Sequence, residues 1–277
     1  MKLTDCTAEK TASAWKQLTM NRPLIFHVTN SVATALQANA CLAIGASPIM
    51  SQFPEETEEL IGLAQGFLVN LGTPTDSAWK TVKRGLAAAG SKGCLTLLDP
   101  VGYGASRFRI ESTDELLREY AFSIIKGNAG EISLLAGVGG ATKGVDALSA
   151  GNLEKGVLEL AQKHKCVVCA TGEVDYLSDG ENAVRVIGGS AMLPCLSGSG
   201  CVAGTVILAA AAACGDAVLG ALTGLLAMGF ASERAEKKCS GVGTFPAYLL
   251  DELHRLTPED FHLLYLLQGA QARWSVI

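Results

Sequence analysis

The sequence predicts an α/β fold, a mostly parallel sheet with helices on both faces. Three observations predict it. Short β-branched or apolar runs alternate with helix-length segments along 277 residues. Hydrophobic residues make up 49% of the chain and charged residues only 18%, so a large core must be buried. Most apolar runs close on Asn, Asp, Gly, Thr or Pro, the residues that turn a strand into a loop. No Pro/Ser linker or charge block divides the chain, which reads as one domain over 1–277.

Taken in order, residues 24–30 (LIFHVTN), 67–73, 94–100, 122–128, 166–172 and 183–189 read as strands. Residues 54–65, 76–89, 112–120, 129–136 and 152–164 read as the helices between them. Pro54 suits a first helical position, and Glu55, Glu56, Glu58 and Glu59 favour the positive end of a helix. Residues 201–230 are almost wholly apolar, with Asp216 as the one charge. Gly215-Asp216 breaks this stretch, and each half falls short of the ~20 residues of a membrane span. Two buried, small-residue helices are expected there, with no membrane partner. Nine scattered cysteines fit a reduced, cytoplasmic protein better than a disulfide framework. Cys166 and Cys169 lie three apart on a strand and face opposite sides, so they share no metal. The first residues lack the pattern of a signal peptide. A net charge of −5 offers no basic face, which excludes nucleic acid as a partner.

In open parallel sheets the ligand binds beyond the carboxyl ends of the strands. The polar residues closing the runs are Thr29, Asn30, Asn70, Asp99, Lys126, Asn128, Thr171 and Glu173. Gly198-Ser199-Gly200-Cys201 opens the apolar helix. A Gly-rich helix start leaves backbone N–H groups free, and the helix dipole adds positive potential, so this turn suits a phosphate or a developing anion. Cys201 falls in the first helical turn, where a thiol's pKa drops and it can act as a base towards a hydroxyl. The same residues also suit a plain Gly-rich turn over a buried cysteine, which composition alone favours. The glycines miss the dinucleotide-binding spacing, and no Walker A loop is present. Asp99 closes one strand and Glu131 opens the helix after the next, so two carboxylates can hold Mg²⁺ through water, with Lys126 near enough to meet a phosphate. Alternatively, Asp99 caps a turn and Glu131 complements a helix dipole.

RPLIFHVTNSVATALQANACLAIGASPIM (22–50), LVNLGT (68–73), LDPVGYGA (98–105), IKGNAGEI (125–132), KGVDAL (143–148), TGEVDYLSDG (171–180), GSGC (198–201) and GVGTFPAYLLDEL (241–253) occur in this order. Together they resemble the hydroxyethylthiazole kinases, thiamine-salvage enzymes of the ribokinase-like group. The resemblance implies a ribokinase-like three-layer sandwich and MgATP-dependent phosphorylation of 4-methyl-5-(2-hydroxyethyl)thiazole. It also implies a homotrimer with sites between subunits, which the low charge and the apolar segment 31–50 suit. By position, Met50 and Gly198 would contact the thiazole, with Asn30 nearby, and Lys126 and Thr171 would contact ATP. Asp99 and Glu131 would serve Mg²⁺ and phosphate. Cys201 would face the hydroxyl beside an anion hole formed by Gly198, Ser199, Gly200 and Cys201. Lys126 stands where the family usually has Arg, Gly130 where it has Ser, and Ser199 where it has Thr. The family's His before the Thr-Asn pair is shifted by one, so Phe26 takes its place and His27 turns to the other face of the strand. A kinase of another small alcohol, such as hydroxymethylpyrimidine, and a non-catalytic nucleotide-binding protein are the competing expectations.

Overall fold

The six expected strands all form, and three more join them in one nine-stranded sheet. In this computed structural model, residues 1–138, 150–267 and 274–276 are described. The KGVDAL motif at 143–148 lies outside the described residues. The strands are β1 (Leu24–Val28), β2 (Ser47–Met50), β3 (Gly66–Asn70), β4 (Leu95–Asp99), β5 (Ile124–Asn128), β6 (Val167–Thr171), β7 (Val174–Ser178), β8 (Ala183–Ile187) and β9 (Trp274–Val276). Their order is β2-β1-β3-β4-β5-β6-β7-β8-β9. Pairing is parallel from β2 to β6 and antiparallel from β6 to β9.

Both faces of the parallel strands are apolar, because both are covered. Ile25, Leu68, Leu97, Ile124 and Val167 join one hydrophobic core, while Phe26, Val69, Leu98, Ile125 and Val168 join the other. Cys169 and Cys166 divide between the same two cores, as their spacing requires. The first core is covered by α1 (Ala8–Asn21), α2 (Thr34–Ala43), α8 (Ser199–Cys214), α9 (Ala217–Lys238), α10 (Phe245–Arg255) and α11 (Pro258–Leu267). The second is covered by α3 (Thr57–Leu63), α4 (Asp76–Lys92), α5 (Arg107–Glu119), α6 (Ala129–Leu135) and α7 (Ala150–His164).

The apolar stretch 201–230 folds as α8 and α9, packed side by side inside the first core. A Cβ on Gly220 would stand 2.1 Å from the Ala211 Cα, and one on Gly224 would stand 2.6 Å from the Ile207 Cα. Glycine is required at both places because the two backbones touch. Among the described residues, no helix is long and apolar enough to cross a membrane.

Several boundaries move. The segment 54–65 divides into a 3₁₀ turn at Pro54–Glu56 and then α3. Helix α5 starts five residues earlier than expected, because the Ser106 hydroxyl accepts the Arg109 N–H and caps it. β1 stops at Val28, which frees Thr29 and Asn30 to shape the turn into α2.

Candidate active site

Register brings the polar strand ends together. Asn70 pairs with Asp99 across β3 and β4, Asn128 with Thr171 across β5 and β6, and His27 with Met50 across β1 and β2. The carboxyl ends of the parallel strands therefore form one row, and the first turn of α8 lies over it. Gly198, at φ +88°, caps that turn in a left-handed conformation, and a Cβ there would meet the Ala33 Cβ at 3.0 Å.

The side chains link in a chain. Asn30 Nδ2 donates to Asn70 Oδ1 at 2.8 Å and to the Cys201 Sγ at 3.3 Å. Asn70 Nδ2 donates to the same sulfur at 3.2 Å and to Asp99 Oδ2 at 2.8 Å. Lys126 Nζ lies 3.6 Å from Asp99 Oδ2. A Cβ built on Gly200 would stand 3.2 Å from the Lys126 Nζ, so the ammonium sits directly against the α8 turn. Asn30, Asn70, Asp99, Lys126 and Cys201 are all buried.

Burial sets the charges. It raises the Asp99 pKa to about 6, with Lys126 pulling it down and Glu131 pushing it up. Burial opposes the charge on Lys126, but the carboxylates of Asp99 and Glu131 outweigh it and raise the pKa. Burial and the Asp99 charge raise the Cys201 thiol, against the pull of Lys126 and the two asparagine amides. The expectation of a lowered thiol pKa is thus corrected. A helix N-terminus lowers a pKa at an exposed site, but here desolvation outweighs it.

Other expected residues take more ordinary places. Glu131 forms a capping box with Asn128 at the start of α6, and its Oε1 accepts the Gly102 N–H at 2.7 Å. The helix-capping alternative therefore describes its local bonds. Asp99 caps no turn with its side chain. Its Oδ1 is buried and has no hydrogen-bond partner among the described residues. Thr171, at the end of β6, donates its hydroxyl to the Gly127 carbonyl at 3.2 Å. Met50 is half-buried at the end of β2. The Ser199 N–H donates to the Leu196 carbonyl and its hydroxyl to the Leu193 carbonyl. Ser199 is therefore committed to the preceding loop, which leaves the Gly200 and Cys201 amides to receive an anion.

Sequence reasoning missed four contributors. Asp175 accepts the Gly172 N–H at 2.9 Å, and burial raises its pKa to about 7. It lay within a quoted motif but was not singled out. Arg109 donates to the carbonyls of Leu71, Gly72 and Val101, holding the loops after β3 and β4. Gln37 and Thr205 reach the Cys201 carbonyl and the His27 ring. Arg109, Gln37 and Thr205 sit in helices with no sequence pattern to mark them.

A metal can be judged from these donors. Among the described residues, no group of three or more His, Cys, Asp or Glu is placed to hold one. A buried, unpartnered Asp99 Oδ1 beside Glu131 suits Mg²⁺, which takes one or two carboxylates and completes its shell with water and phosphate oxygens.

A family model described as the hydroxyethylthiazole kinase family matches residues 15–259. The chain belongs to the hydroxyethylthiazole kinase family. A protein of that name from Caldivirga maquilingensis is 41% identical over 247 residues, covering 89% of this chain and 92% of the relative. The solved hydroxyethylthiazole kinase of Pyrococcus horikoshii OT3 superposes with a TM-score of 0.85 at 31% identity, over 96% of this chain and 98% of that one. A ribokinase-like superfamily protein from Enterococcus faecalis superposes with a TM-score of 0.60 at 10% identity, over 89% and 95%. The three-layer sandwich is thus ribokinase-like, and the solved Pyrococcus horikoshii kinase shares it across nearly its whole length.

Proposed function

We propose that this hydroxyethylthiazole kinase works as one domain that transfers the γ-phosphate of ATP to the hydroxyl of 4-methyl-5-(2-hydroxyethyl)thiazole. One observation carries the reading. The Cys201 thiol, the α8 turn and the Lys126 ammonium meet at one point and are tied together by Asn30, Asn70 and Asp99. Phosphoryl transfer asks the protein mainly to position its reactants and neutralise charge, and this cluster supplies both.

The thiazole alcohol lies along Met50, Asn30 and Gly198, with its hydroxyl at Cys201. The phosphates of ATP lie between the α8 turn and the edge formed by Lys126 and Thr171. The Gly200 and Cys201 amides and the Lys126 ammonium face the charge that spreads over the transferring group. Asp99 and Glu131 would hold Mg²⁺, which would supply further neutralisation of the phosphates. Cys201 is largely protonated before reaction, because burial raises its pKa. As the thiol it orients the hydroxyl. Only the ionised fraction, favoured by two amide N–H groups, takes the alcohol proton once the new O–P bond has made it acidic, and is thereby returned to the thiol. In a loose transition state that transfer comes late.

A coupled assay with ATP, Mg²⁺ and a panel of thiazole and pyrimidine alcohols tests this. ATP turnover is expected with the hydroxyethylthiazole. Turnover only with a pyrimidine alcohol, or with no alcohol at all, overturns the substrate assignment. We place the enzyme in the cytoplasm as a homotrimer. All nine cysteines are free, and Val32, Leu42 and Phe53 expose apolar surface on and beside the segment 31–50. A light-scattering mass of one 28.7 kDa chain at micromolar concentration would remove the trimer.

A further inference from the structure

Beneath the α8 turn lies a second buried polar chain, separate from the residues that meet substrate. Gln37 of α2 is fully buried. Its Nε2 donates to the Cys201 carbonyl at 3.0 Å and to the Thr205 Oγ1 at 3.1 Å. Its Oε1 accepts the Thr29 hydroxyl. The Thr205 Oγ1 lies 3.2 Å from His27 Nε2, and His27 Nδ1 lies 3.0 Å from the Ile25 carbonyl. Thr29, Gln37, Thr205 and His27 are all buried.

The direction of every bond in this chain follows from the His27 tautomer. With Nδ1–H donated to the Ile25 carbonyl, Nε2 presents a lone pair. Thr205 must then donate its single hydroxyl proton to Nε2. That leaves the Thr205 oxygen to accept one Gln37 N–H, while the other goes to the Cys201 carbonyl. A flipped Gln37 amide would set its oxygen against that carbonyl, so the amide has one orientation. The Thr205 hydroxyl has a second acceptor within reach, the Cys201 carbonyl at 3.4 Å. His27 is what draws it away and leaves that carbonyl to Gln37.

We propose that His27, through Thr205 and Gln37, is a positioning residue that holds the first turn of α8, and with it the Cys201 thiol, in register with the substrate hydroxyl. The inference rests on the kinase reading for its kinetic consequence, but not for its effect on the thiol. The hydrogen-bonded chain joins β1, α2 and α8; Asn30 lies in the turn between the first two and Cys201 in the first turn of the third. Losing it lets the turn shift by tenths of an ångström, which matters to in-line transfer more than to nucleotide binding.

The test is Thr205→Val, which keeps shape and removes the hydroxyl, measured alongside His27→Leu, the double variant and Thr205→Ser. Thr205→Val is expected to lower kcat roughly 5- to 50-fold with the KM for ATP within twofold, as misplacement of this kind does. The double variant should fall no further than the worse single one, and Thr205→Ser should restore kcat. Independently of turnover, the rate at which iodoacetamide labels Cys201, read by peptide mass spectrometry, should change in Thr205→Val and return in Thr205→Ser. An unchanged labelling rate, or losses that multiply in the double variant, overturns the inference. If the parent enzyme is inactive on thiazole alcohols yet labelling responds as stated, the substrate reading fails and this inference stands. Where Thr205→Val does not fold, Gln37→Met removes the same contact to the Cys201 carbonyl and is read by the same labelling rate.

Discussion

Helix α8 is two regions in one element. From Val206 to Ala211 it is fully buried and apolar, pressed against the Gly220 and Gly224 side of α9. Its first turn, five residues earlier, is polar, bonded to two asparagines, set against a buried lysine and lying over a carboxylate oxygen that has no partner among the described residues. The body follows the ordinary rules of packing. The first turn breaks them, lying against the buried charges of Asp99 and Lys126 and a carboxylate oxygen with no partner among the described residues, and the apolar body is what keeps that arrangement in place. Buried polar groups concentrated at one end of an element that is otherwise well packed are what a functional site looks like.

If this contrast holds, substitutions at the two ends should separate activity from stability. Cys201→Ala should have the largest effect, lowering kcat about 10²- to 10⁴-fold, the usual range for loss of a proton-transfer group. Its melting temperature and ATP affinity should stay near those of the parent. Cys201→Asp should retain activity, since a carboxylate can take the same proton. Full kcat in Cys201→Ala would reduce the first turn to its backbone amides and remove the thiol from the contrast.

Gly220→Ala probes the body. The added methyl would overlap the Ala211 backbone, and overpacking of this kind costs about 1–3 kcal/mol or more. Lower denaturation midpoints with unchanged kcat in the remaining folded enzyme are expected. Unaltered stability would show that α8 and α9 are free to move apart.

Lys126→Ala should weaken ATP binding about tenfold or more and thiazole binding much less, because the ammonium lies against the α8 turn rather than at Met50. Isothermal titration with each ligand separates the two. Equal losses for both would make Lys126 a general support of the site.

The smallest effect concerns pH. Burial lowers the His27 pKa from 6.5 to about 4, with the carbonyls of Ile25 and Ile49 pulling it back up. The unfolded chain therefore binds this proton more readily. The stability contributed by a neutral His27 is complete above pH 6.5 and is lost as pH falls towards 4. Asp99, raised to about 6, acts in the opposite sense, favouring the fold as pH falls from 6 to 4. The comparison must therefore be between His27→Gln and the parent at each pH. Between pH 7 and 5, urea unfolding should show the parent losing more stability than the variant. Parallel curves would mean that His27 is not neutral in the folded state.

Local pattern carried much of this. Five of the six expected strands form near their places because their apolar residues serve two cores at once, and a buried parallel strand reads as a continuous run; the sixth, β8, is antiparallel and half-exposed. β2, β7 and β9 were not read as strands. β2 (SPIM) is four residues long and half-buried, and β7 opens on Val-Asp, which does not resemble a core strand. β2 takes strand form by pairing with β1 across the intervening helix α2, β7 by a two-residue hairpin onto β6, and β9 by pairing with the distant β8.

The site divides the same way. Asn30, Asn70, Asp99, Lys126, Thr171 and the Gly198–Cys201 turn were legible because strand ends and Gly-rich helix starts leave marks in sequence. What only the tertiary structure decided is their chemistry. The Cys201 pKa rises rather than falls because other elements bury it and set Asp99 nearby. Ser199 offers no free N–H at the start of α8 because the Leu196 carbonyl claims it. Gln37, Thr205 and His27 become one chain only when α2, α8 and β1 pack together. Residue type and spacing determine which groups can meet at a strand end. Desolvation and hydrogen-bond competition depend on everything around a group, and those are set only once the chain has folded.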